Sequence, residues 1–327
     1  MIDVSELSKF FGERRAVGPM SLHIESGEIV GLLGLNGAGK TTTLRMLSSD
    51  LLPTSGTIRI DGVDLVEDPD RVRPKIGYLP DRPPLYDEMR VEEYLGFTAR
   101  LRGMPSDGKT ARRVREVMDQ TAVGEVRRQF VGTLSHGYRQ RLGIAQAIVH
   151  RPSLLLLDEP ISGLDPVQIV EMRELIRSLH GDHTIVLSSH ILPEVSETCD
   201  RILVMVAGQV RDAGWDQIRG TLALTLRGDP AVAERAAAAT AGVTRVEAIG
   251  NLAAARAPHG SAQDDTGVFT LRVASDRDVR EALCAALVHA DVGVLELSRA
   301  ERQLEDLFLS LAGLGKGAPA GVKEVAA

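Results

Sequence analysis

Cysteine is almost absent from the chain. The two present, Cys199 and Cys284, stand far apart and match no metal-ligand spacing, which excludes a disulfide framework and a zinc site and makes a reducing compartment the expectation. Long apolar runs are missing as well. The longest, Ile29 to Leu35, Leu154 to Leu157 and Ile202 to Ala207, fall far short of the roughly 18 apolar residues that a membrane span requires. The N-terminus, MIDVSELSKF, carries Asp3 and Glu6 where a signal peptide would place positive charge and then an apolar stretch, so a soluble chain is expected. There is no excess of positive charge: 38 Lys+Arg face 45 Asp+Glu, a net charge of -7. An acidic balance argues against a general nucleic-acid or anionic-membrane binder, because such proteins displace counterions from phosphates with a basic surface. Lysine supplies only six of those 38 basic residues, which reads as coding bias rather than function. No tandem repeat of fixed period is present.

What is present suits about two globular domains in 327 residues. Through residue 220, short β-like runs alternate with helical stretches, the pattern of an α/β domain on a mainly parallel sheet. Strands are expected at Glu28 to Leu33, Ile58 to Ile60, Leu154 to Leu157, Thr184 to Ser188 and Arg201 to Val206. The continuous apolar runs at Leu154 to Leu157 and Ile185 to Leu187 fit strands covered on both faces. Residues 82–151 read as a helical insertion, with Tyr94, Phe97 and Leu101, then Val114, Val117 and Met118, at helical spacing. Beyond Gly220 alanine becomes frequent and the pattern is βαββαβ, the order of a small α+β ferredoxin-like domain over residues 221–312. Asn251 to Thr266 reads as a loop, Ala300 to Ala312 as a closing helix and 313–327 as a disordered tail.

The first chemical signal is Gly34-Leu-Asn36-Gly37-Ala38-Gly39-Lys40-Thr41, after a strand and before a helix expected at Thr42 to Leu47. Strand, glycine-rich loop and helix form the P-loop pattern, in which backbone N–H groups and the positive helix end converge on phosphate oxygens. Lys40 is then expected at the β/γ-phosphates and Thr41 on Mg²⁺. The second signal is Leu154-Leu-Leu-Leu-Asp158-Glu159-Pro160. Asp158 is the candidate Mg²⁺ residue and Glu159 the candidate general base for an attacking water. Alone, an acidic pair ending a strand is more often a solvated loop start; its conjunction with the P-loop reverses that reading.

Several further motifs fall in a particular order. Leu134-Ser135-His136-Gly137-Tyr138 resembles the LSGGQ signature, Ser162-Gly-Leu-Asp165-Pro the D-loop, and His190 the switch histidine of ATP-binding subunits of ABC transporters. Phe11 matches the position that stacks on adenine, and Ile76 to Asp81 the segment carrying the Q-loop. The resemblance covers residues 1–220 and implies a P-loop NTPase fold, with Phe11, Gly34, Asn36, Gly37, Ala38, Gly39, Lys40, Thr41, Thr42, Ser135, Gly137 and Asp165 binding nucleotide. It further implies that Glu159, His190 and Asp81 are catalytic and that Thr41 and Asp158 hold Mg²⁺. Simpler readings stand beside these: Ser135 as an ordinary N-cap, His190 as a surface histidine, Phe11 as a core aromatic. Three positions depart from the family pattern: Asp81 replaces a glutamine, His136 a glycine and Tyr138 a glutamine. A left-handed backbone at His136 would be strained, although histidine tolerates it better than most residues.

The resemblance implies a head-to-tail homodimer around two ATP molecules, at the inner face of the cell membrane, driving a separate permease chain. The exporter class that moves lipids, drugs, antibiotics or polysaccharides is the nearest in motif wording, and the permease is expected to dock at Pro80 to Val91 and the helices beyond. The alternative is a soluble ABC-type ATPase acting on nucleic acid or the ribosome; the single cassette, the absence of heptads and the acidic charge weigh against it. The C-terminal domain reads as a dimerisation or docking module, with ligand sensing as the other possibility.

Overall fold

The computed structural model describes residues 1–215, 221–248 and 267–299. Its contacts divide the chain into two compact units, Met1–Trp215 and Asp216–Ala327. The expected loop at Asn251 to Thr266, the closing helix at Ala300 to Ala312 and the tail at 313–327 lie outside the described residues.

The first unit opens with two strands, β1 (Ile2–Phe11) and β2 (Arg14–Ile24), where the sequence pattern suggested none. The reason is local. β1 pairs with β2 through register shifts between Val4 and Phe10, and Glu6 has φ 49°, so buried Val4 and Leu7 fall out of the simple alternation that marks a strand. After β3 (Ile29–Leu33) and α1 (Lys40–Leu47) come β4 (Ser55–Ile60) and β5 (Val63–Asp64). Ile58 to Ile60 therefore belongs to an antiparallel sheet of order β2-β1-β4-β5, not to the mainly parallel sheet among whose strands it was expected. A short helix α2 (Pro69–Val72) leads into β6 (Ile76–Leu79).

The helical segment contains α3 (Val91–Leu101), α4 (Gly108–Gln120) and α5 (His136–Ile148). In α3 the buried stripe is Val91, Tyr94, Leu95, Thr98 and Ala99; Leu101, expected to share the face of Tyr94, is 68% exposed. The buried stripe is centred between Tyr94 and Leu95; Leu101, only about 20° round the helix from Tyr94, lies at the edge of that stripe and on the last residue of the helix, where it stays exposed. Val114, Val117 and Met118 of α4 are buried, as their spacing suggests.

Chain order then gives β7 (Leu154–Asp158), α6 (Pro166–Ser178), β8 (Thr184–Ser189), α7 (Leu192–Thr198), β9 (Arg201–Val206) and β10 (Gln209–Asp212). The central sheet runs β10-β9-β3-β8-β7-β6, with β9, β3, β8, β7 and β6 mutually parallel and β10 antiparallel. β3, β7 and β8 are buried at every position, as expected of parallel strands with both faces covered. The glycine-rich loop, the segment leading to Asp81, the acidic pair and His190 emerge at the carboxyl ends of β3, β6, β7 and β8, where open α/β sheets present their ligand crevice; the Leu134 to Tyr138 motif instead opens α5.

The second unit contains β11 (Thr221–Arg227), α8 (Pro230–Ala238), β12 (Val243–Ala248), β13 (Val268–Ser275), α9 (Arg280–His289) and β14 (Gly293–Arg299). Its sheet is fully antiparallel in the order β12-β13-β11-β14, the ferredoxin-like arrangement. Leu222, Leu224, Leu226, Phe269, Leu271 and Val273 alternate inward and pack on Ala233, Ala237, Leu283 and Leu287 of the helices.

One contact ties the helical segment to the central sheet. β6 lies so close to α5 that a Cβ on Gly77 would stand 2.3 Å from the Ala147 carbonyl oxygen. Beside it, His150 Nε2 donates to the Ile76 carbonyl at 3.1 Å; a carbonyl only accepts, so the proton sits on Nε2. Burial, with the Arg102 charge secondary, pushes the His150 imidazole down to about 4. Gly77→Ala is expected to destabilise the first unit by about 1–3 kcal/mol in urea unfolding, because backbone must move to admit the methyl. The neutral imidazole makes the fold acid-sensitive: stability is complete above an unfolded-state pKa of 6.5 and declines as pH falls towards about 4. Thermal melting midpoints across that window should fall less steeply in His150→Gln than in the native chain.

Candidate functional site

The loop after β3 is shaped by two glycines. Gly39 has φ 107°, and a Cβ on it would lie 2.6 Å from the Ala16 carbonyl oxygen; one on Gly34 would lie 2.6 Å from the Met205 carbonyl oxygen. Only glycine permits both the left-handed turn and the close strand approach. α1 begins at Lys40, two residues earlier than its sequence pattern suggests, so the first helical N–H groups, which have no intrahelical partner, belong to the loop motif itself.

Lys40 is 5% exposed, and its Nζ donates to the carbonyls of Gly34 at 2.7 Å and Leu35 at 3.4 Å. It also pairs with Glu159 Oε1 at 3.2 Å. The other carboxylate oxygen, Oε2, accepts from His190 Nδ1 at 2.9 Å. Glu159 thus sits between two donors, one from the loop after β3 and one from the end of β8. Its φ is 49°, a left-handed conformation that is uncommon outside glycine. Thr41 Oγ1 donates to Asp158 Oδ1 at 3.2 Å, and Ser188 Oγ donates to the same oxygen at 2.6 Å. Burial raises the Asp158 carboxyl above the usual range, against the lowering effect of these two hydroxyls.

These groups border a cleft of ≈ 1090 Å³ whose lining includes Phe11, Asn36, Gly37, Gly39, Lys40, Thr41, Thr42, Asp81, Glu159 and His190. Gly34 and Ala38, on the same loop, are buried and are not among the residues that line it. Phe11 is 51% exposed at the end of β1, which removes the core-aromatic reading; Lys9 Nζ lies 5.3 Å from its ring centroid. Ser162, the first residue of the D-loop motif, also lines the cleft, as do Arg14, Arg15, Ala16 and Ala207, which were not singled out from the sequence; the first three of these four lie on β2, which carried no legible strand signal.

Ser135, Gly137 and Asp165 are not among the residues of this cleft. Gly137 and Asp165 border a second concavity together with Tyr138, Arg141 and Gln168. Asp165 caps α6, accepting from the N–H groups of Val167 and Gln168 at 3.0 and 2.9 Å. Ser135 caps α5 through a longer contact, 3.4 Å from the N–H of Tyr138. His136 opens α5 in a right-handed conformation, so the possible strain at this departure does not arise. Its Nε2 donates to the Ser162 carbonyl at 3.0 Å, linking the start of α5 to the loop before α6.

The donor set also suits a hard cation. Asp158 Oδ2 is buried without a hydrogen-bond partner among the described residues, and the hydroxyl of Thr41 stands beside the same carboxylate. No group of three or more His, Cys, Asp or Glu residues able to hold a metal occurs among the described residues, so an ion here would complete its shell with water or phosphate oxygens.

Residues 17–162 match the ABC transporter family. The daunorubicin/doxorubicin resistance ATP-binding protein DrrA of Streptomyces peucetius is 33% identical over 321 residues, 95% of this chain and 92% of that protein. The chain belongs to the ABC transporter ATP-binding proteins. The bacitracin transport ATP-binding protein BcrA of Bacillus licheniformis is 38% identical over 212 residues, 64% of this chain and 68% of that protein. A dimeric, post-hydrolysis ATP-binding cassette bound to ADP and Pi superposes with TM-score 0.60 and 24% identity over 65% of this chain and 97% of that one, a likeness of fold. As a member of this family the chain is an ATP-binding and ATP-hydrolysing subunit of a transporter. No helix among the described residues is long and apolar enough to cross a membrane.

The two caps of this ABC subunit differ in quality and should differ in energy. Asp165→Ala, which loses two good hydrogen bonds, is expected to cost about 1 kcal/mol or more in urea unfolding, and Ser135→Ala clearly less.

Proposed function

We propose that the chain dimerises head to tail around two ATP molecules and drives export through a separate membrane permease. The observation that carries the mechanism is Glu159, held between Lys40 Nζ and His190 Nδ1. A carboxylate so placed at the rim of a phosphate-binding loop is poised to take the proton of an attacking water. Loop N–H groups and Lys40 bind and neutralise the β/γ-phosphates, and His190 orients the carboxylate and the terminal phosphate. Phe11 offers its exposed face to the adenine. Thr41 and Asp158 would hold Mg²⁺, which when bound neutralises charge on the phosphate oxygens. Asp81 lines the same cleft and is suited to ordering water there.

The separation of Ser135, Gly137 and Asp165 from the cleft supports the dimer. Ser135 is weakly engaged as a cap at a helix N-terminus, which leaves its hydroxyl and the neighbouring N–H groups for a phosphate held by a second copy. Glycine at 137 keeps that surface low, since a Cβ would crowd the Gln168 amide at 2.7 Å. The relatives named for bacitracin transport and for daunorubicin/doxorubicin resistance support a drug or antibiotic as the exported class, with lipids and polysaccharides as the remaining members of it. The work is done at the cytoplasmic face of the membrane, with the permease docked on Pro80 to Val91 and the helices that follow. The second unit serves as an accessory dimerisation or docking module. Nucleic acid is not a partner on this reading: a net charge of -7 offers no broad basic surface.

Lys40→Ala is expected to abolish ATP binding in equilibrium dialysis. Glu159→Gln should bind ATP normally, lose at least about 100-fold in turnover, and accumulate as an ATP-bound dimer on size-exclusion chromatography. Near-native turnover in Glu159→Gln would remove the base assignment, and a monomer in saturating ATP would remove the dimer.

A further inference from the structure

The end of β8 holds a residue that no motif reading selects. Ser188 is fully buried and stands in register with Asp158 of the neighbouring strand β7 and with Leu32 of β3. It is a polar residue in the central strand of the sheet, and such a group persists there when its hydrogen-bonding capacity is used. A serine hydroxyl has one proton to donate and two lone pairs to accept with. The proton goes to Asp158 Oδ1 at 2.6 Å, and the N–H of Glu159 donates to the hydroxyl oxygen at 2.9 Å.

This single hydroxyl therefore touches both members of the acidic pair, the first through its carboxylate and the second through its backbone. The second contact acts where the chain is least at ease. Glu159 has φ 49°, and a non-glycine residue keeps that conformation only when its surroundings over-determine it. The left-handed turn takes the Glu159 side chain away from the strand direction and towards Lys40 and His190. The first contact occupies Oδ1 of Asp158, which Thr41 also uses, and leaves Oδ2 as the unpartnered oxygen. The next residue does different work: Ser189 Oγ donates to Glu194 Oε2 at 2.5 Å and accepts from the N–H of Ile191 at 3.0 Å, which fixes the entry to α7.

We propose that Ser188 is a positioning residue for hydrolysis: its hydroxyl locks the left-handed backbone of Glu159 to the Asp158 carboxylate and so aims the general base. The proposal rests on Glu159 being that base. It places the determinant of base geometry on β8, one strand away from the acidic pair and two residues before His190, so one strand end supplies both the hydroxyl that fixes the Glu159 backbone and the imidazole that holds its carboxylate.

The test compares Ser188→Thr, which keeps the hydroxyl, with Ser188→Val, which has nearly the same volume without it, so that added bulk cancels between them. In the full chain, Ser188→Val is expected to lose roughly 10–100-fold in kcat relative to Ser188→Thr, the range typical of a lost supporting hydrogen bond. ATP affinity measured in EDTA, where no turnover occurs, should stay within about threefold of native in both variants, because the Lys40 loop is untouched. In a Glu159→Gln background the Thr/Val difference should vanish, since the hydroxyl acts through that residue. Equal kcat for Thr and Val, or a difference that persists in full beside Glu159→Gln, would overturn the proposal, as would parallel loss of ATP affinity in Ser188→Val. If instead Glu159→Gln alone turns over normally, the base assignment itself fails, and the positioning role falls with it.

Discussion

The structure turns on a carboxylate that is taken out of water. Asp158 ends a strand buried at every residue, and removing such a group from solvent costs several kcal/mol unless hydrogen bonds and charge compensate. Two hydroxyls provide part of the compensation, one from Thr41 at the start of α1 and one from Ser188 at the end of β8. Meeting that requirement draws three parallel strands, β3, β7 and β8, into alignment at their carboxyl ends. The oxygen left over, Oδ2, has no hydrogen-bond partner among the described residues and would be the one to hold a cation. The same desolvation that burdens the fold makes the site useful, because a charge partly withdrawn from water acts more strongly on a phosphate than one in bulk water.

Around this point the elements take separable tasks. The loop after β3 supplies N–H groups and leads to Lys40; the end of β7 and the residue after it supply the acids; β8 supplies Ser188 and, one residue beyond its end, His190. The antiparallel sheet of β1, β2, β4 and β5 contributes the exposed ring of Phe11 and the Ala16 carbonyl against which Gly39 packs. The helical segment is attached through the β6 to α5 contact at Gly77 and Ala147, so the helix opened by His136 and capped by Ser135 shares a rigid seam with the strand that leads to Asp81.

The glycine-rich loop, the apolar strands at 154–157, 184–188 and 201–206 and the acidic pair were legible because each is a local pattern: a run of β-branched and aliphatic residues, or a turn that only glycine makes. The helical segment was legible as helical, but the face of α3 was not, since Leu101 fits the spacing and still points to solvent. β1 and β2 were hidden by bulges that break the two-residue period. The second unit was readable as βαββαβ because Leu222, Leu224, Leu226 and Phe269, Leu271, Val273 alternate cleanly on strands with one covered face.

By itself the sequence determined the family, the phosphate loop, the acids and the histidine, because these depend on residue types at short fixed spacings. Tertiary structure alone decided that Glu159 is gripped by Lys40 from one strand end and His190 from another, residues 119 and 31 positions away in the chain. It also decided that Ser135, Gly137 and Asp165 stand apart from the cleft, and that Ser188, an unremarkable serine in a buried strand, sits in register beside Asp158. Register and strand order bring these groups together, and neither is written in any local stretch of sequence.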